Sequence, residues 1–476
     1  MNKTLIILSI GRFLQIIILF VTSRIMTKLL SHEEVGFLYL LLSLSSYIGL
    51  VLMNPVGVYF TRRLHDWAEQ KTIVNAFLLF CVYTFFTSLL SFPLIYIGKY
   101  FIGLNGHYWL SLSFLMSFYV FSTTVNNTII PSLNILKYRV EFIILTFLTQ
   151  LIALICSYLL VLKDNSSFYW LTGQAISFFI WFIVAFLFFR IKHEESVSLK
   201  VVKKSIAVEN RKKFLSFVFP IVITNISLWI LNQSYRPIIE RTIGLEFLGY
   251  IGLGFGLATS LSVAFEYLLQ QFYYPDFYKN ITGQNKKTRE REWNRIFNKM
   301  IPLLLFMCFF ISINSSFIIR VLADEKFWGA WIYISFGMCI EFFRMLNNVL
   351  GLIAQSEMKT KKTILPYFIG GIVSALLVVH FSSGNYKLYV PLSIILGNIL
   401  VFLLMRYNMG SFFTISFPCK NISIVSILSI PFLLVLPFKN EFVSYGSTIT
   451  ILTISSLYFM GVGLFLFNKL ENEQYE

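Results

Sequence analysis

Fourteen apolar stretches recur along the 476-residue chain, most of them near the 20 residues that a helix needs to cross about 30 Å of hydrocarbon. They lie at roughly 5–27, 35–60, 73–98, 108–130, 142–162, 168–189, 214–235, 244–271, 300–319, 328–353, 364–381, 388–405, 422–437 and 443–467. Inside a bilayer every backbone polar group must find its partner within the protein, so runs of this kind fold as helices. Charged residues make up only 13% of the chain, against about 25% in soluble domains, and a water-exposed surface cannot be built from so few. The expected class is an all-α, multi-pass membrane protein. The run from Leu5 to Met26 is long enough to span and has no small-x-small cleavage site after it, so it reads as a helix rather than a signal peptide. The thirteenth run is short and carries Pro431 and Pro437, which weaken a helix interior.

Orientation follows from the basic residues. With the N-terminus inside, 27 of the 39 Lys and Arg fall in cytoplasmic gaps and nine in outer gaps, while Arg12, Arg24 and Arg344 lie within spans. Such a bias places both termini in the cytoplasm. It also accounts for the formal charge of +16 without nucleic acid as a partner. The outer gaps are short and leave no room for an external catalytic domain. The five cysteines are scattered, have no metal or disulfide spacing, and read as small hydrophobes.

A repeat divides the chain. RIMTKLLSHEEVGF, from Arg24, ends in Glu33-x-x-Gly36-Phe37, and RPIIERTIGLEFLGY, from Arg236, ends in Glu246-x-x-Gly249-Tyr250. Both stretches join the first span of a half to its second. The expected organisation is an N-lobe over 1–190, a basic cytoplasmic linker over 191–213 and a C-lobe over 214–406. Two further helices and a tail fill 407–476. Two parallel six-helix lobes are a pattern from which transporters build a cavity.

Enzymatic signatures are missing: the chain has no GxxxxGK[ST] phosphate loop, HExxH, paired CxxC or GxSxG. Gly252-x-Gly254-x-Gly256 falls inside the eighth span and reads as close helix packing. Intramembrane charge is the stronger signal, because an arginine at mid-bilayer costs about 3 kcal/mol and normally faces a cavity or a partner. Arg12 and Gln15 share a face of the first span, and Arg24 lies nearer its outer end, where snorkelling is the alternative. Arg236 and Arg344 complete the candidate substrate-binding set. Each has a carboxylate within a helical turn, Glu240 and Glu341, so internal neutralisation is the alternative for both. Glu266 has no cationic neighbour in its own span. With Glu341 it is the candidate for ion coupling, a structural partner on another helix being the alternative. The first six spans hold no carboxylate away from their ends, a polarity that suits a phosphate or diphosphate held by Arg forks.

With these residues in view, the chain resembles the polysaccharide and O-antigen flippases of the multidrug/oligosaccharidyl-lipid/polysaccharide exporter superfamily. The resemblance rests on Gly11, Gln15 and Arg24 in the first span, on LLSHEEVGFLYLLLSL, and on Gly57-Val-Tyr-Phe-Thr-Arg62-Arg63. It returns in PSLNILKYR and between Pro220 and Gly256, and covers roughly the first 400 residues. It implies two six-helix lobes in a V around a central cavity, and a cargo of oligosaccharide on undecaprenyl diphosphate. That cargo is moved from the cytoplasmic to the periplasmic or outer leaflet of the bacterial cytoplasmic membrane. It also implies coupling to a proton or a sodium ion with no other cofactor. Implied partners are membrane lipids and the polysaccharide polymerase and chain-length proteins, with the chain itself a monomer. Relatives often carry an Asp-Arg pair late in the seventh span, where this chain has Tyr235-Arg236, so that carboxylate's role is not carried over. The similar lipid II flippase also has two extra C-terminal helices. Competing readings are a multidrug cation antiporter, for which the first six spans lack acidic residues, a membrane polymerase or ligase, and a bare scaffold.

Overall fold

The computed structural model describes residues 3–101, 108–193, 195, 211–281, 283–439 and 444–472. These residues form helices and turns and contain no strand. Among the described residues, eleven helices are long and apolar enough to cross a membrane, and the protein is a multi-pass membrane protein. Helices stand at all fourteen expected places. Three of them, Lys3–Leu29, Trp109–Ile135 and Arg211–Gln233, are additional to those eleven.

Two compact units are present. The first comprises Met1–Trp229 and Gly244–Leu248, the second Ile230–Ile243 and Gly249–Glu476. In the first unit the long helices are α1 (Lys3–Leu29), α2 (His32–Tyr47) continued as α3 (Asn54–Arg62), α5 (Ile73–Ser88) continued as α6 (Ser91–Phe101), α7 (Trp109–Ile135), α8 (Arg139–Val161), α9 (Ser167–His193) and α10 (Arg211–Gln233). A short α4 (Leu64–Glu69) follows α3. Phe60, Phe77, Phe80, Phe182 and Phe189 are buried together in its core. Helices α8 and α9 approach so closely at Gly173 that a Cβ there would strike the backbone of Cys156 and Ser157. Ser157 and Ser177 donate to the carbonyls of Trp170 and Thr149 across the same contact, at 2.8 Å each. Small residues and hydroxyls are how helices associate where lipid offers no hydrophobic gain.

Between α2 and α3 the helix widens into a π turn, Ile48–Met53, whose cause is readable in the chain. The Asn54 N–H bonds back to the Gly49 carbonyl, the five-residue spacing of a π turn. The next donor in that register belongs to Pro55, which has no N–H, so the Leu50 carbonyl is orphaned. Asn225 of α10 fills the gap, its Nδ2 donating to Leu50 O at 2.6 Å. The Tyr83 hydroxyl donates to Leu52 O at 2.7 Å, and Trp229 Nε1 to Ser43 O at 3.0 Å.

The second unit contains α11 (Tyr235–Thr242), α12 (Leu245–Ile281), α13 (Lys286–Ile313), α14 (Ser315–Leu322), α15 (Trp331–Ser356), α16 (Ile364–Phe381) and α17 (Tyr386–Gly410). It ends with α18 (Cys419–Leu428) and α19 (Tyr445–Asn472). The thirteenth span is α18 prolonged by a 3-10 stretch, Ile430–Phe438, at its two prolines. Gly254 bears out the packing reading of its glycine run: a Cβ there would meet Tyr333 and the Ala330 carbonyl. The repeat also has a structural counterpart. Both of its copies break one helix and start the next, at Ser31, whose Oγ accepts the Glu34 N–H, and at Gly244, with φ +121°. All five cysteines are free.

Candidate functional site

Helices α12 and α15 run side by side in the second unit and meet through polar rungs set in apolar walls. Thr259, Glu266 and Gln270 recur at seven and four residues on α12, and Glu341, Arg344 and Asn348 at three and four on α15, so each trio shares one helix face. Arg344 joins the two carboxylates: its Nη2 lies 2.9 Å from Glu266 Oε2 and its Nε 2.6 Å from Glu341 Oε2. The other oxygens are also occupied. Glu266 Oε1 accepts from Asn348 Nδ2 at 2.9 Å and from Gln270 Nε2 at 3.2 Å, and Glu341 Oε1 accepts from the Thr259 hydroxyl at 2.7 Å. Gln270 also hydrogen-bonds Tyr274, and Tyr367 of α16 lies within electrostatic range of both Arg344 and Glu266. Further along, the Tyr278 hydroxyl donates to Gln355 at 3.2 Å, so polar contacts join the two helices over about five turns of α12 and about four of α15.

Two carboxylates share one guanidinium, and the cluster carries one net negative charge when both are ionised. Burial in a low dielectric makes such a network strong when every lone pair is used and costly when one partner leaves. Both glutamate side chains are 6% exposed, whereas that of Arg344 is 23% exposed, so the guanidinium is the member an incoming group can touch. A cation that entered would compete with Arg344 for a carboxylate oxygen, and an anion would compete with the carboxylates for Arg344.

The sequence-selected residues thus fall into separate places. Glu266, Glu341 and Arg344 converge, with Glu266 neutralised by a partner 78 positions away. Arg236 stands on a different helix, α11. Its Nε donates to the Tyr235 hydroxyl at 3.2 Å and its guanidinium lies 5.6 Å from that ring's centre. Glu240, whose pairing with Arg236 is one of two open alternatives, keeps a buried Oε2 that takes no hydrogen bond among the described residues. Burial pushes the Glu240 carboxyl up to about 7, against the downward pull of Arg241. Gln15 and Arg24 belong to the first unit, Gln15 buried and Arg24 half-buried. The Arg12 side chain lies outside the described residues. Thr259, Gln270 and Asn348 were not singled out, although polar side chains at helical spacing within apolar spans were the available signal.

No family model and no curated protein sequence matches the chain. Its fold, in contrast, matches solved structures. It is similar to the lipid II flippase MurJ in an inward closed conformation, with a TM-score of 0.63 and 16% identity over 99% of this chain and 100% of that one. An MOP superfamily transporter from Pyrococcus furiosus, described as having a binding pocket of reversed polarity, gives 0.57 and 14% over 86% and 96%. An inward-facing multidrug resistance MATE transporter of the same superfamily gives 0.54 and 13% over 86% and 99%. This protein therefore has the fold of the MOP superfamily transporters.

Proposed function

We propose that the protein is a flippase carrying an undecaprenyl-diphosphate-linked oligosaccharide from the cytoplasmic to the outer leaflet of a bacterial cytoplasmic membrane. Alternating access coupled to a proton or a sodium ion would drive it. The observation that carries this reading is the extent of the fold match. MurJ is covered end to end by 99% of the chain, whereas the MATE match takes in 86%, a shortfall comparable in length with residues 407–476. A multidrug transporter fold would not need that added segment, and a lipid carrier has a tail to accommodate. The charges of the first span support an anionic cargo: Arg12 and Arg24 stand on a helix that has no carboxylate. Under this reading Glu266 and Glu341 form the coupling site, with Arg344 the group they release when a proton or sodium ion takes its place.

One observation favours the second reading, a cation antiporter. The buried cluster has an excess of carboxylate over guanidinium, the polarity that cation exchange requires. The two are separated by reconstituting the full chain in vesicles and following leaflet accessibility of an undecaprenyl-diphosphate oligosaccharide alongside efflux of tetraphenylphosphonium. Flipping that stops in Arg24→Gln and loses its ion dependence in Glu266→Gln supports the flippase. Efflux of the organic cation without lipid movement overturns it.

A further inference from the structure

A cavity lies in the first unit, remote in sequence from the carboxylate cluster. It encloses about 670 Å³, within the range of small-molecule pockets, and is built where α2, α7 and α9 begin. The distribution of Lys and Arg puts these three helix starts on the outer side. Its lining combines five aromatic side chains, Phe37, Tyr108, Trp109, Phe168 and Tyr169, with the carboxylates of Glu34 and Asp164. Tyr108 is 81% exposed, so its ring is open to contact at the cavity's rim.

Glu34 is held in place for a ligand: its Oε2 accepts the Ser167 N–H at 2.6 Å, which fixes the carboxylate at the mouth of α9, and Oε1 takes no hydrogen bond among the described residues. The charge balance selects among ligands. Three helix N-termini each carry about half a positive charge, which nearly offsets the two carboxylates. The cavity is therefore rich in hydrogen-bonding groups yet close to neutral, a poor match for an organic cation or a phosphate.

A pyranose ring has the complementary surface, a C–H face for aromatic rings and a rim of hydroxyls for carboxylate oxygens. We infer that this cavity is a binding site for a neutral sugar residue, a glycan subsite on the outer side of the first unit. For its natural ligand, the glycan of a lipid-linked oligosaccharide, the inference rests on the flippase reading; the binding itself does not. Trp109 and Tyr108 would supply the platform, and Asp164 and Glu34 the hydroxyl contacts.

The test uses the purified full chain in nanodiscs, with saturation-transfer NMR and tryptophan fluorescence as readouts. The probes are D-glucose, D-galactose, N-acetyl-D-glucosamine and L-rhamnose, with tetraphenylphosphonium as the cationic comparison. At least one sugar is expected to bind saturably to the wild type. Trp109→Leu should abolish that binding, Trp109→Phe should retain it, and Asp164→Asn should weaken it about tenfold. Glu34→Gln, whose amide oxygen can still accept the Ser167 N–H, should weaken it severalfold if the other variants fold poorly. Saturation by none of the four sugars, saturation by the cation alone, or sugar binding indifferent to all the variants overturns the inference. Sugar binding without lipid translocation would sink the flippase reading and leave the site standing. Translocation by a protein that binds none of the sugars would do the reverse.

Discussion

Glu266 on α12 and Arg344 on α15 are held 2.9 Å apart, and the same guanidinium reaches Glu341 one helical turn away. Removing the shared cation leaves two buried carboxylates facing each other. Arg344→Met is expected to cost about 3–5 kcal/mol. Glu266→Gln should cost less, because Asn348 and Gln270 can still be bonded at that position. In the double variant the penalties should fall short of additivity. Apparent melting temperatures of the four proteins in one detergent check this, and strict additivity would show that the pair is not coupled.

Asn225 substitutes for the N–H that Pro55 lacks. Asn225→Leu should therefore destabilise the first unit by about 1–3 kcal/mol, the cost of leaving a buried carbonyl unsatisfied. In a Pro55→Ala background the restored N–H can take over Leu50 O, and the same substitution should cost markedly less. An equal cost in both backgrounds, read from unfolding midpoints, would exclude this account of the π turn.

Glu240 supplies a pH dependence. Its carboxyl is raised from the ordinary 4.5 to about 7 by burial, so the folded protein disfavours the charged form. The contribution is neutral below about 4.5, becomes destabilising as pH rises from 4.5 to 7, and is constant above that. Glu240→Gln should match the wild type in melting temperature near pH 4.5 and exceed it at pH 8. A difference of the same size at both pH values would rule out this titration as the cause.

Glu195 closes the N-terminus of α5 from 121 residues away, its two oxygens accepting the N–H groups of Ile73 and Val74 at 3.0 and 2.8 Å. It is a helix cap delivered from the segment after α9. Glu195→Ala should lose about 1–2 kcal/mol of local stability. Hydrogen exchange should speed up at the first-turn amides of α5 and stay unchanged at the start of α8.

Much of the fold was legible because hydrocarbon thickness imposes one length on every span and lipid leaves the helix as the only economical backbone. The same reasoning found Glu341 and Arg344 as neighbours, since three residues on a helix is a contact. It could not bring Glu266 to them, because which helix faces which is decided by packing such as that of Gly254 against Tyr333, and sequence spacing carries no record of it. Spacing alone left open whether Glu240 neutralises Arg236, whose Nε donates to the Tyr235 hydroxyl. The pocket at the starts of α2, α7 and α9 escaped notice for a related reason. Its aromatic residues were diluted among 51 Phe, 25 Tyr and 8 Trp, most of which serve burial.

The π turn at Ile48–Met53 also sets the phase of everything that follows it on the same rod. One residue more than an α-helix needs rotates the Asn54–Arg62 segment by about 100° about the axis relative to His32–Tyr47. The azimuth that buries Pro55 and Phe60 thus depends on the residue count of the turn. Deleting a single residue between 48 and 53 would give a better-formed helix and swing Phe60 away from Phe77 and Phe80, so regularising the backbone here would empty a core.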